Sequence, residues 1–391
     1  MACVFAGHVF GPSQDMPTRR RVGMPPREEN VMKRAVLLDI KKLVLEDSPE
    51  PTCPTDGLVI QVRACAVCAT DVKIYNFGHQ LVQLPRVLGH EVAGIIHQVG
   101  PQMQNRFTPG QHVAVCAVVN CGRCIYCQRA VPSMCLNLRA FGYHFDGGYQ
   151  EYMAVPNDAI QIGGVNILPE TMPFTHASLA ELLACCINGQ KLSDVKLGQS
   201  MLILGAGPVG ILHAQLAFAQ GAGSIYLADV NPVKTALAES ICKNRLTGTL
   251  KNGDPETFVK TVRDVTGNHG FDQVMVCCSA PQAQQLALEC VARCGCVNLF
   301  GGLPKTSSQV LLDTNHIHYK QCRVIGTHGS SADDNQLALN LIAQNQINVA
   351  PLITETIPLT QLENALRLEN TSNHRLKSVV VFPPHSNEPG P

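Results

Sequence analysis

The densest chemistry in this 391-residue chain is a group of four cysteines, Cys121, Cys124, Cys127 and Cys135. They follow a Cys-x-x-Cys-x-x-Cys spacing, with seven residues before the fourth. Four thiolates within fifteen residues can wrap tetrahedrally around one zinc ion, leaving no coordination position open, which is the pattern of a structural site. Gly122 and Pro132 allow the loop to turn. A redox dithiol would need only two of these thiols.

A second constellation is Gly205-Ala206-Gly207-Pro208-Val209-Gly210, a G-x-G-x-x-G string that follows the apolar run Met201–Leu204 and opens a helical stretch. That context turns a weak motif into a dinucleotide fingerprint. Gly205 permits the tight turn, Gly207 lets backbone approach a pyrophosphate, and Gly210 allows close packing of helix on strand. Pro208 and Val209 begin the helix whose free N–H groups face the phosphates. Asp229 lies 19 residues beyond Gly210, where a carboxylate accepts hydrogen bonds from ribose hydroxyls and repels a 2′-phosphate, favouring NAD over NADP. Lys234 is a further cofactor-side candidate whose charge partly offsets that repulsion.

The elements that must position these groups fall into two kinds. From Met32 to about Pro156, Val- and Ile-rich runs such as Leu58–Val62, Val92–Val99 and His112–Val119 sit between turn residues, predicting a β-rich, barrel-like domain. After a helical stretch at Thr175–Gly189, strands and helices alternate through Met201–Leu204, Pro208–Gln220, Ser224–Ala228, Pro232–Lys243, Phe271–Cys278, Ala280–Val291 and Cys296–Phe300. Strict alternation predicts an α/β fold with a doubly wound parallel sheet of Rossmann type. The tail regains the character of the first part. Residues 32–185 and 325–391 are therefore expected to form one discontinuous domain, with residues 186–324 inserted as the dinucleotide-binding domain. Residues 1–31, broken by prolines and arginines, read as a disordered extension.

Composition removes other classes. Thirty Lys+Arg balance thirty Asp+Glu without long runs of one sign, so neither a nucleic-acid partner nor an anionic membrane surface is indicated. No apolar stretch approaches the roughly 20 residues of a membrane span. Many of the 18 cysteines lie inside apolar runs, as at Cys277-Cys278, reading as buried thiols of a reducing, cytoplasmic setting.

Cys68, His90, Glu91 and Glu181 are, by spacing alone, no more than polar residues. In family order, however, the Cys68-x-Thr70-Asp71 element, Gly89-His90-Glu91, the four-cysteine group and Gly205–Gly210 resemble the zinc-dependent medium-chain dehydrogenases of the alcohol dehydrogenase superfamily over Met32–Phe382. Gly89-His90-Glu91 with Leu179-Ala180-Glu181 is similar to the sorbitol/L-iditol, or polyol, branch. The resemblance implies a GroES-like catalytic domain, one catalytic and one structural zinc per subunit, NAD, and a homo-oligomer, dimer or tetramer. It makes Cys68, His90 and Glu91 catalytic zinc ligands, Glu181 a fourth ligand acting directly or through water, and Thr70 the proton-relay hydroxyl. It also places Lys377 near the cofactor pyrophosphate, whereas Lys73 and Leu182 depart from the family's relay histidine and Glu-Pro pair. Tyr143, His316, His318 and Lys73 are candidates for the substrate pocket. The expected reaction is hydride transfer from a secondary alcohol of a polyol, sugar alcohol or cyclitol to NAD+. L-threonine and phosphorylated polyols are alternative substrates, and a catalytically silent NAD-binding zinc protein is the non-enzyme alternative.

Overall fold

The computed structural model describes residues 31–251, 253–368 and 374–383. The extension expected over residues 1–31 lies outside them except for Val31, which opens the strand Val31–Asp39.

The strand Leu58–Ala66 is buried along nearly its whole length and occupies the middle of the first large sheet. On one side it pairs antiparallel with Glu91–Val99, followed outward by His112–Val115 and Val165–Ile167. On the other it pairs with Lys377–Val381, which runs parallel to Ile353–Ile357. The C-terminal strands thus complete a sheet begun some three hundred residues earlier. Register then places the chemistry. Ala66 faces Glu91 in one neighbour and Val379 in the other. Cys68, two residues past Ala66, therefore comes level with Lys377, and the Val67 N–H donates to the Ser378 carbonyl at 2.9 Å.

The second large sheet holds six parallel strands in the order Gly248–Lys251, Ser224–Asp229, Ser200–Leu204, Phe271–Val276, Val291–Leu299 and Arg323–Gly326. In chain order this is 3-2-1-4-5-6, with the direction of winding reversing between Ser200–Leu204 and Phe271–Val276. Dinucleotides bind at such a switch point, outside the carboxyl ends of the strands. The sixth strand straddles the division expected at residue 325.

The helical stretch expected at Thr175–Gly189 is two helices, Phe174–Ala177 and Ala180–Ser193. The second packs on Pro208–Ala219 and on Ala332–Ala343. Its buried face belongs to one apolar cluster that includes Ala64 and Ala93 of the first sheet, Met201 and Ile203 of the second, and Leu339. The two sheets therefore share a core, and this helix contributes to it. Among the described residues, no helix is long and apolar enough to cross a membrane.

Candidate active site

Cys68 is the N-cap of the helix Ala69–Phe77 and Glu91 opens the strand Glu91–Val99. The ligand atoms of Cys68, His90 and Glu91 lie within 4.8 Å of one another. The cluster is built by two layers of support. Asp71, at the third position of the helix, accepts from the Cys68 N–H at 3.1 Å, completing a capping box. The same carboxylate faces Nδ1 of His90 at 3.3 Å and accepts from the Tyr149 hydroxyl at 2.8 Å. Turning Nδ1 toward Asp71 leaves Nε2 of His90 for a ligand, as in metal sites with a carboxylate behind the imidazole. Burial pushes the Asp71 carboxyl up, but the His90 charge and these hydrogen bonds outweigh it and leave the carboxyl below its usual range.

Glu91 is fully buried, and its carboxylate meets Nζ of Lys377 at 2.6 and 2.8 Å. Lys377 also donates to the Val67 carbonyl at 2.8 Å. The ammonium expected beside a cofactor pyrophosphate is thus turned onto a candidate metal ligand. Burial raises the Glu91 carboxyl, Lys377 opposes that, and the nearby charge of Glu181 adds to it, so the net shift is upward. One lysine is too little positive charge for two carboxylates and a thiol. The donor set fits a divalent cation: thiolate and carboxylate balance its charge, a neutral imidazole completes three ligands, and one position stays open.

Glu181 is the second residue of Ala180–Ser193, where helix N–H groups favour a carboxylate. It lies outside the group of mutually close ligand atoms, and its Oε1 accepts from the Cys185 thiol at 3.4 Å. Thr70 is half-buried beside Cys68, and its N–H donates to Cys68 Sγ at 3.4 Å. Of the four pocket candidates, Tyr143 reaches the site, its ring edge-on to His90 with centroids 6.2 Å apart. His316 instead pairs with Glu289 at 3.0 Å, His318 packs on Tyr319, and Lys73 is exposed.

Cys121, Cys124, Cys127 and Cys135 form a second cluster within 4.8 Å. Cys124 Sγ lies 3.5 Å from Cys127 Sγ and 3.9 Å from Cys135 Sγ. With zinc–sulfur bonds of about 2.3 Å, tetrahedral geometry asks for about 3.8 Å. Backbone N–H groups of Cys121 and Asn137 point at Cys135 Sγ, and the side-chain amide of Asn120 points at Cys127 Sγ, so the sulfurs already sit among donors that favour thiolate. Backbone donors bring the Cys121 thiol down to about 6, whereas burial outweighs the donors at Cys135 and pushes that thiol up to about 12.

At the second sheet, Gly205 has φ +117°, a turn that glycine makes at no steric cost. A Cβ on Gly210 would lie 1.8 Å from the Gly205 carbonyl oxygen, whereas one on Gly207 would meet nothing within 4 Å. The loop is therefore closed on its helix side and open where a pyrophosphate would approach. Gly207 is the N-cap and Pro208 the first residue of Pro208–Ala219, with Val209 next. Beside the loop is a cleft of about 800 Å³ lined by Gly205, Asp229, Val230, Glu256, Arg263 and Glu289, among others. Asp229 accepts from the N–H groups of Ala206 at 2.8 Å and Asn231 at 2.9 Å, tying the loop to the next strand while leaving carboxylate lone pairs for a ribose. Lys234, half-buried in the first turn of Pro232–Cys242, is not among the residues lining this cleft.

Tyr149, Asp71 as the partner of His90, Lys377 as the partner of Glu91, and Cys185 are the site residues that motif spacing did not supply. For the first three the signal is pairing between distant segments, which one sequence does not display; for Cys185 it is the i, i+4 spacing from Glu181 on one helix.

Three residues able to hold a metal ion beside one sheet, and a glycine-rich loop of dinucleotide-binding form on the other, fit a metal-dependent oxidoreductase that uses a nicotinamide dinucleotide. Residues 54–162 match the family model for the alcohol dehydrogenase GroES-like domain and residues 208–344 that for the zinc-binding dehydrogenases. The chain is 30% identical to the L-threonine 3-dehydrogenase of Pyrococcus furiosus over 80% of its length and 87% of that protein. It is 26% identical to the sorbitol dehydrogenase of Bacillus subtilis over 90% of its length and 97% of that protein. The crystal structure of a putative zinc-binding dehydrogenase from Sinorhizobium meliloti, bound to NADP, superposes with a TM-score of 0.82 at 28% identity, covering 90% of this chain and all of that one. The protein belongs to the zinc-dependent medium-chain dehydrogenases of the alcohol dehydrogenase superfamily and is an alcohol dehydrogenase-type oxidoreductase.

Proposed function

We propose that this protein oxidises a secondary hydroxyl of a polyol, sugar alcohol or cyclitol with NAD+. The observation that carries the reading is the convergence of Cys68 with His90 and Glu91, from two separate points in the chain, on one spot where the ligand atoms lie within 4.8 Å of one another. Cys68, His90 and Glu91 would hold zinc, which would supply Lewis-acid polarisation of a substrate hydroxyl, and the Gly205–Gly210 loop would hold the nicotinamide dinucleotide, which would supply the hydride acceptor. The chain's own groups do the rest. Asp71 fixes the His90 ring with Nε2 inward, Lys377 fixes Glu91, and the Thr70 hydroxyl, beside Cys68, takes the proton released by the substrate. Glu91 and Glu181 give the site hard oxygen donors suited to a polyhydroxylated substrate, and the similarity to a sorbitol dehydrogenase supports the same class. Asp229, Glu256 and Glu289 outnumber Arg263 around the dinucleotide cleft, which supports NAD over NADP. The second reading, oxidation of L-threonine at its hydroxyl-bearing carbon, is favoured by the 30% identity to threonine dehydrogenases.

The test is a panel of polyols, cyclitols and L-threonine with NAD+ and NADP+, followed by absorbance of the reduced cofactor. Turnover of vicinal diols with NAD+, abolished by a metal chelator, is expected. His90→Ala should remove turnover while dinucleotide binding survives. Activity persisting in that variant would exclude the assigned metal centre, and turnover of L-threonine alone would establish the second reading.

A further inference from the structure

We propose that Cys185 is a positioning residue that latches the Glu181 carboxylate at the rim of the Cys68–His90–Glu91 cluster and so keeps the fourth coordination position open to substrate. The inference rests on the catalytic-metal reading above. Glu181 and Cys185 are four residues apart on Ala180–Ser193, a spacing that stacks side chains on one helix face. The thiol donates to Glu181 Oε1 at 3.4 Å.

The buried Ser330 stands beside the sulfur. The loop carrying Ser330 is pinned to the same helix by the Asn188 side-chain amide, which donates to the Gly329 carbonyl at 2.8 Å, and by Lys191 against Asp334 at 2.5 Å. Glu181 stands outside the 4.8 Å ligand group, yet its charge is felt by Glu91. A thiol is a weak donor, so the hold is modest and reversible. Among the described residues Cys185 is the one hydrogen-bond partner of the Glu181 side chain, and the helix that carries both packs on the strand that Glu91 opens. Cys185 thereby sets the balance between Glu181 as a bystander and Glu181 as a ligand competing with the substrate oxygen.

The full chain loaded with cobalt(II) tests this through visible absorption, with imidazole as the probe of the open position. Cys185→Ala is expected to weaken imidazole binding on the order of tenfold, the size of other outer-layer effects at metal sites. Cys185→Ser, which keeps a donor, should stay close to the parent. In the Glu181→Gln background, Cys185→Ala should change nothing. Cys185→Val, which fills the space without a donor, reads the same quantity if alanine leaves a destabilising hole. Unchanged imidazole binding in Cys185→Ala and Cys185→Val, or a loss that persists with Gln at position 181, overturns the latch. A parent protein that binds one cobalt rather than two overturns the catalytic-metal reading itself, and the latch with it.

Discussion

At Asp71 a single buried carboxylate serves two candidate ligands, bonding the Cys68 backbone through the helix cap and facing the His90 ring. Such a group is useful only if its own orientation is fixed, and Tyr149 supplies that with a fully buried hydroxyl at 2.8 Å. Tyr149→Phe removes one oxygen and keeps the ring volume. The expected outcome is a loss of about 10–100-fold in metal affinity at the Cys68–His90–Glu91 centre with the four-cysteine centre unaffected. Metal stoichiometry during competition with a chelator measures both at once, and equal release from parent and variant would contradict the role. Little of this support is visible in sequence. Tyr149 lies 78 positions from Asp71, and Lys377 lies 286 from Glu91, so each pair exists only once the sheet has closed. The four cysteines were legible because every ligand sits within a single loop.

Among the elements, the Gly-rich turn separates packing from binding cleanly. At Gly210 the obstructing atom is the Gly205 backbone carbonyl, which has no rotamer to retreat into. Gly210→Ala should lower stability by about 1–3 kcal/mol, the usual cost of overpacking, seen as a lower urea midpoint. Gly207 has φ −78°, which any residue adopts, and open space around it. Gly207→Ala should leave the urea midpoint unchanged yet weaken NADH binding about tenfold or more, because the methyl occupies the approach of the pyrophosphate. Fluorescence titration of NADH reads the second effect, and equal losses of stability in both variants would refute the distinction. The turn could be read from sequence because strand, glycines and helix are contiguous. The neighbouring strand Gly248–Lys251 left a weaker mark, because it lies at the sheet edge and buries only Leu250. The helix Pro255–Val265 is legible in sequence, since Phe258, Val259, Val262 and Val265 recur at helical spacing behind an Asp254 cap and Pro255.

Across the whole molecule, the shared core has a consequence for pH. His213, on Pro208–Ala219, is fully buried where that helix meets Ala180–Ser193. Its ring stands edge-on to Phe300 at 4.7 Å, and its Nδ1 lies 3.2 Å from the Gln190 amide nitrogen. Among the described residues no carboxylate favours the imidazolium, and burial lowers the side chain to about 3, from 6.5. The folded state therefore holds His213 neutral through a range in which the unfolded chain protonates it. More protons on the unfolded state means that stability rises with pH. The contribution is complete above about pH 6.5 and is lost as pH falls from there toward 3, at about 1.4 kcal/mol per pH unit. Other groups titrate in the same window, so the decisive quantity is a difference between proteins. Urea unfolding of the parent and of His213→Leu between pH 4 and pH 6 should give slopes of stability against pH that differ by about one proton, with the parent the steeper. Parallel slopes would mean that His213 already carries its charge in the fold. They would also mean that the junction of the two domains is wet where the packing of Gly189, Phe300 and Gln190 around the ring makes it dry.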